Sequence, residues 1–236
     1  MRISVGQTLS EAAVFYKENF KYLMGFSFIW SVLMAVVNVS IRLELIWLFF
    51  VGVILAIIFL PKYFLAIMIL INTLFDGNRV TLKEAYHQAE GKWWISASRA
   101  VVVGLIGGAP LMISMRVEIA LPQIVSSLYG GIIMSLFYML IPIIALEPLA
   151  DGYLGRSTRM IKGNYLPVLI LYLLTTSLWG FINSTVNQLL AGNVTALHIA
   201  TTVYTLVLFF VFPFAETVII VVYRQLAKDR SQTTIP

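Results

Sequence analysis

Residues 45–75 read LIWLFFVGVILAIIFLPKYFLAIMILINTLF, with one charge, Lys62, and one proline, Pro61. A hydrocarbon core about 30 Å thick is crossed by roughly 20 apolar residues of helix. The stretch is long enough to cross and too apolar to face water. Five others share its character: Leu23–Ile41, Ile95–Met115, Ile124–Leu149, Tyr165–Leu190 and Ile199–Val222. The pattern predicts an all-α, polytopic membrane bundle of six transmembrane helices in a single integral domain. Composition agrees. The chain is 60% hydrophobic and 11% charged, where a soluble domain is about a quarter charged. A soluble globular domain, a disordered chain and a coiled coil are excluded.

The connections set the expected orientation. Thirteen of the 16 Lys and Arg residues lie in the N-terminal arm, in 76–94 with Arg99, in 150–164, or in the C-terminal tail. Only Arg42 and Arg116 fall on the other side, and Lys62 lies within a span. Cationic loops stay cytoplasmic, so both termini are predicted on the inner side of the membrane. The first twenty residues carry Glu11, Lys17 and Glu18 and no apolar core, so no cleavable signal peptide is expected. The net charge of +5 reads as orientation in an anionic membrane, not as nucleic-acid binding.

The chain also repeats. Thr8-Leu9-Ser10-Glu11-Ala12 returns 73 residues later as Thr81-Leu82-Lys83-Glu84-Ala85. Each reads as a capping box, a Thr hydroxyl and a Glu three residues on satisfying the first turn of a helix. Leu9, Ala13, Tyr16 and Phe20 share one helical face, as do Leu82, Ala85, Ala89 and Trp93. Leu154, Thr158, Ile161 and Tyr165 repeat that face without the box. Pro61, Pro142 and Pro213 then break the even-numbered spans, and Lys62, Glu147 and Glu216 follow them. Each unit reads as a short cytoplasmic interfacial amphipathic helix, an outward span and a kinked return. The three pseudo-repeated hairpins occupy about 8–75, 81–149 and 150–226, with 227–236 as a cytoplasmic tail. Stacked units bury faces that one unit cannot.

Candidate functional residues follow from cost. A charge at bilayer depth is disfavoured by about 2.5–3.5 kcal/mol and turns to the bundle interior. Lys62, Glu147 and Glu216 form the candidate intramembrane charge cluster. The expectation is a Lys62–Glu216 pair with Glu147 near the cytoplasmic mouth. A structural ion pair, or Lys62 reaching for the headgroups, fits the same residues. Pro61, Pro142 and Pro213 free backbone carbonyls, which can line a cavity or simply bend a helix. Lys92, Trp93, Trp94, Arg156, Arg159 and Lys162 form an inner-face stripe for lipid or partner contact, or serve only as topogenic charge. Gly104, Gly108, Gly130 and Gly131 are expected to let helices approach. The polar run Asn183, Ser184, Thr185, Asn187 and Gln188 is placed near the outer face.

With no cysteine and two histidines, His87 and His198, on opposite predicted sides, neither a metal site nor a Ser–His–Asp set can be assembled. No metal or cofactor is expected, and catalysis is disfavoured.

Two stretches carry a resemblance. One is Ile141-Pro-Ile-Ile-Ala-Leu-Glu147 with Arg156-Ser157 and Lys162-Gly163-Asn164-Tyr165. The other is Leu9-Ser-Glu-Ala12 with Tyr16-Lys17-Glu18-Asn19-Phe20. Together they resemble a bacterial group of six-span membrane proteins. That group includes the membrane domain of some glycerophosphodiester phosphodiesterases and stand-alone inner-membrane proteins of unknown function. The resemblance implies an all-helical bacterial plasma-membrane protein. It implies no catalysis here, because the phosphodiesterase activity belongs to a separate soluble domain. The expected role is a non-catalytic accessory or scaffold subunit that binds membrane lipids or a partner protein. The first alternative is a small transporter using Lys62, Glu147 and Glu216, and a more remote one is a lipid-modifying intramembrane enzyme.

Overall fold

The computed structural model describes residues 3–28, 31–32, 46–99, 101–103, 105–106, 123–148, 152–177 and 194–233. The chain is all-helical over these residues, with no strand among them. The helices among the described residues include α1 (Val5–Glu18), α2 (Ile46–Phe75), α3 (Leu82–Gln88), α4 (Gln123–Leu136), α5 (Leu140–Leu146), α6 (Tyr153–Ile161), α7 (Tyr165–Tyr172) and α8 (Val194–Thr233). Among the described residues, three stretches are long and apolar enough to cross a membrane: Ile58–Phe75, Tyr129–Leu146 and Phe209–Lys228. Gly104, Gly108 and the polar run 183–188 lie outside the described residues.

Helices α2, α5 and α8 touch one another and form the centre. The second half of α2 is apolar on every side, as a helix enclosed by others must be. Leu65, Ala66, Met68 and Ile71 are fully buried there. The short helices coat this centre. Helix α3 folds back on α2, α6 lies on α5, and α1 lies on α8. Small residues are fully buried on each: Thr8 and Ala12 on α1, Ala85 on α3 and Ser157 on α6. A small side chain lets a helix backbone come close to its neighbour, the geometry that a coat of short helices needs.

The two helix starts that the Thr-Glu repeat predicts differ. Thr81 forms the complete box: its hydroxyl accepts from Glu84 N at 3.2 Å, and the Glu84 carboxylate accepts from Thr81 N at 2.7 Å. Thr8 does not. Helix α1 begins one turn earlier, capped by the Ser4 hydroxyl accepting from Gln7 N. Thr8 is then interior to the helix and buried, and its hydroxyl donates to Gln225 Oε1 of α8 at 3.0 Å. Gln225 Nε2 in turn donates to Glu11 at 3.0 Å. Both residues of the expected box are taken up by a tertiary contact once Ser4 offers an alternative cap.

The prolines behave differently from one another. Pro61 and Pro213 sit within continuous helices. Pro142 lies in the first turn of α5, after the break at 137–139. A helix proline leaves the carbonyl four residues back without its donor. For Pro213 that carbonyl is Phe209 O, and the Ser27 hydroxyl donates to it. Tyr16 donates to the next one, Phe210 O, at 2.8 Å.

Exposed side chains change character along the bundle. Trp47, Phe50, Ile54, Ile58 and Phe59 of α2 are exposed and apolar, as are Val101, Leu105, Ile199, Val203, Leu206 and Phe210. Beyond Pro61 and Pro213 the outward faces belong to α1, α3 and α6. There the exposed residues include Glu11, Lys17, Glu18, Lys83, Glu84, Arg156 and Arg159.

Candidate functional site

The expected Lys62–Glu216 pair does not form. The Lys62 ammonium pairs with Glu90 at 3.4 Å and lies 4.2 Å from the centre of the Tyr86 ring. The cause is the fold-back of α3. Thirteen residues, roughly 20 Å of helix, separate Lys62 from Phe75, and the returning segment brings Tyr86 and Glu90 back to the level of Pro61. Lys62 is 14% exposed and Glu90 68% exposed, so the pair stands where the coat of short helices ends. Hydrogen bonds from Lys62, and then from His87, hold the Glu90 carboxyl below the usual carboxylate range. Tyr86 and Glu90 lie four residues apart on one helical face. That spacing is the signal that could have marked them as partners of a cation.

Glu147 is likewise committed. Its side chain pairs with Arg156 and accepts from the Tyr223 hydroxyl at 3.2 Å. Lys92 reaches the same place, donating to the carbonyls of Ala145 at 3.0 Å and Glu147 at 2.7 Å. A cation on the last carbonyls of a helix satisfies them and opposes the end dipole. Burial pushes the Lys92 amine below its ordinary value, with the Glu147 charge opposing. Lys92 and Arg156, expected at the lipid or partner face, therefore lock α5 to α6 and to the turn after α3. Arg159 donates to Gly155 O within its own helix. Lys162 and Trp94 are exposed, and Trp93 is half-buried against Trp94. Gly131 faces Leu173, in the turn after α7, with room for an added methyl at ordinary contact distance, and Gly130 is half-buried.

Glu216 remains. It is 7% exposed, and its Oε2 has no hydrogen-bond partner. Among the described residues it makes no ion pair. It lies within electrostatic reach of Tyr138. Tyr138 OH is 3.0 Å from Thr175 Oγ1, and Thr175 donates to Leu171 O at 2.7 Å. Thr175 belongs to a π-helical turn, Leu173–Ser177, that packs on α8.

A different feature opens on the polar face. A groove of about 510 Å³ runs between α1 and the end of α2, lined by Gln7, Ser10, Glu11, Val14, Phe15, Glu18 and Phe75. Phe15 and Phe75 stack at 3.6 Å as its floor. Arg224 secures the end of α2 from behind, on Asn72 Oδ1 and Asp76 Oδ1, each at 2.9 Å. Val14 is 55% exposed in the groove, an apolar side chain among carboxylates.

These features define the class: an all-helical protein with helices long and apolar enough for a membrane, coated at one end by amphipathic helices. No family model, curated protein or solved structure matches the chain. The resemblance to the bacterial six-span group rests on its motifs alone.

Proposed function

We propose that the chain is a non-catalytic, six-span protein of the bacterial cytoplasmic membrane that docks a cytosolic partner on its coated end. Length supports this placement. Helix α8 has 40 residues, about 60 Å of helix, which is twice the hydrocarbon thickness. About half of it lies outside the hydrocarbon wherever it is placed. The change from apolar to charged exposed residues near Pro61 and Pro213 supports a boundary there, with α1, α3 and α6 on the inner side. Helix α3 lying on α2, α6 on α5 and α1 on α8 supports three equivalent units packed in a ring. Each coat helix leans on the return helix of the unit before it.

The groove is the observation that carries the docking role. Glu11 and Glu18 rim it in a chain of net positive charge. Anionic headgroups are repelled there. The complementary occupant is a basic amphipathic helix of a partner protein, with one apolar anchor against Val14 and Phe75. Of the Lys62, Glu147 and Glu216 cluster, Lys62 and Glu147 are tied up in ion pairs within the fold, which supports docking over solute transport through it.

The chain lacks cysteine, so Val14→Cys carrying a benzophenone tests the reading in native membranes. One discrete protein adduct is expected. It should disappear with Glu11→Lys and Glu18→Lys combined, weaken at high salt, and be absent from the control Lys83→Cys. Lipid adducts only, or a protein adduct indifferent to both charge reversals, refutes the docking role.

A further inference from the structure

We propose that Glu216 is a proton-binding site in the interior of the bundle, holding its carboxyl as the neutral acid at neutral pH. This site is separate from the docking groove and stands on its own observations. Glu216 is more than nine-tenths buried, and Oε2 meets no donor. A carboxylate in such surroundings needs a cation or several donors, and otherwise takes up a proton.

Among the described residues, the ionisable groups on the elements packed against α8 are engaged elsewhere or exposed. On α2, Lys62 is held by Glu90, and Asp76 by Arg224 of α8 itself. Beside α5, Glu147 binds Arg156 of α6 and Tyr223. From α1, Glu11 accepts from Gln225, while Lys17 and Glu18 are exposed. Arg159 of α6 is exposed and bonds Gly155 O. The turn Leu173–Ser177 carries no charge.

Glu216 lies within electrostatic reach of Tyr138, but that hydroxyl is engaged with Thr175 Oγ1 at 3.0 Å, and Thr175 donates to Leu171 O. No donor is therefore left to stabilise a charge on Oε2.

The test uses the full-length chain in lipid nanodiscs. The infrared difference between wild type and Glu216→Gln at neutral pH should show the carbonyl stretch of a protonated acid, lost in the variant. The band should shift in D2O. A hydrophobic carbodiimide gives a second measurement. The acid proton passes to a carbodiimide nitrogen, the carboxyl oxygen bonds to its central carbon, and migration to nitrogen leaves a stable N-acylurea. The adduct should map to Glu216 in wild type and be lost in Glu216→Gln. Glu216→Gln should unfold at the wild-type denaturant midpoint, because it keeps shape and neutrality. A carboxylate signature at neutral pH, or an unfolding midpoint lowered in Glu216→Gln as on breaking an ion pair, overturns the proposal.

Discussion

Substituting Ala85 by Leu tests whether the short helices are a packed coat or lie loosely on the bundle. Ala85 is fully buried where α3 meets α2. Leucine adds three carbons with no space to receive them. Overpacking of a close contact costs about 1–3 kcal/mol. At 1.36 kcal/mol per decade, the unfolded population rises from a few-fold to about a hundredfold. The assay is equilibrium unfolding in mixed micelles, followed by helix signal. Lys83→Leu is the control, on the exposed side of the same helix, and should stay within about 0.5 kcal/mol of wild type. Ala12→Leu on α1 should fall in the same range as Ala85→Leu. Ser157→Leu should cost more, because Ser157 also donates to Leu136 O at 3.1 Å. If Ala85→Leu is as silent as Lys83→Leu, α3 is not packed against α2 and the coat does not exist. If Ala12→Leu is silent while Ala85→Leu is costly, the coat helices are not equivalent and the ring of units fails.

Other outcomes follow from single contacts. A double-mutant cycle of Lys62→Met with Glu90→Gln should give a coupling of about 0.2–1 kcal/mol, the range for a largely exposed pair. The same cycle with Glu216→Gln should be additive within about 0.5 kcal/mol; coupling there restores the original pair. Ser27→Ala leaves Phe209 O without a donor beside Pro213, and should cost about 1–3 kcal/mol in unfolding assays; a neutral result means another group satisfies that carbonyl. Glu84 and Glu90 are both held below the usual carboxylate range, Glu84 chiefly by the backbone N–H of Thr81 and then its hydroxyl, Glu90 by Lys62 and then His87. A lowered folded-state value stabilises above the unfolded value, near 4.3, and that contribution is lost as pH falls through the folded value. Stability measured against pH should therefore decline below about pH 4, less steeply in Glu84→Gln with Glu90→Gln; an unchanged slope rejects both contacts.

Local rules could be read from the sequence, and competition between them could not. Length and hydropathy identified α2 and α8 because an unbroken apolar run has few alternatives. Thr81 and Glu84 announced the start of α3 because a capping box is satisfied within four residues. The same letters at Thr8 and Glu11 misled, because Ser4 offers a cap one turn earlier and Gln225, 217 residues away from Thr8, takes the hydroxyl. Lys62 was assigned to Glu216 on depth alone. Depth measured along one helix ignores a neighbour that folds back, and Glu90 arrives by that route. Glu216 is legible as costly from its place in an apolar run, but its lack of a partner is not, because that depends on Lys62 being taken by Glu90, 28 residues further along the chain.

The ring of contacts also accounts for where the polar residues are spent. A helix with a proline must satisfy a freed carbonyl, and in lipid no water is available for it. At Pro213 the donors are Ser27, which follows α1, and Tyr16, within α1. Both lie on the segment that closes the ring from the far end of the chain. The N-terminal helix thus does two things for α8: it covers the apolar side and supplies the missing donors. Its own first residues are held in turn, with Ile3 N donating to Asn164 Oδ1 at 2.7 Å in the turn before α7. Helix α1, which carries Glu11, Val14 and Glu18 of the groove, is thus bound at both ends to distant parts of the chain.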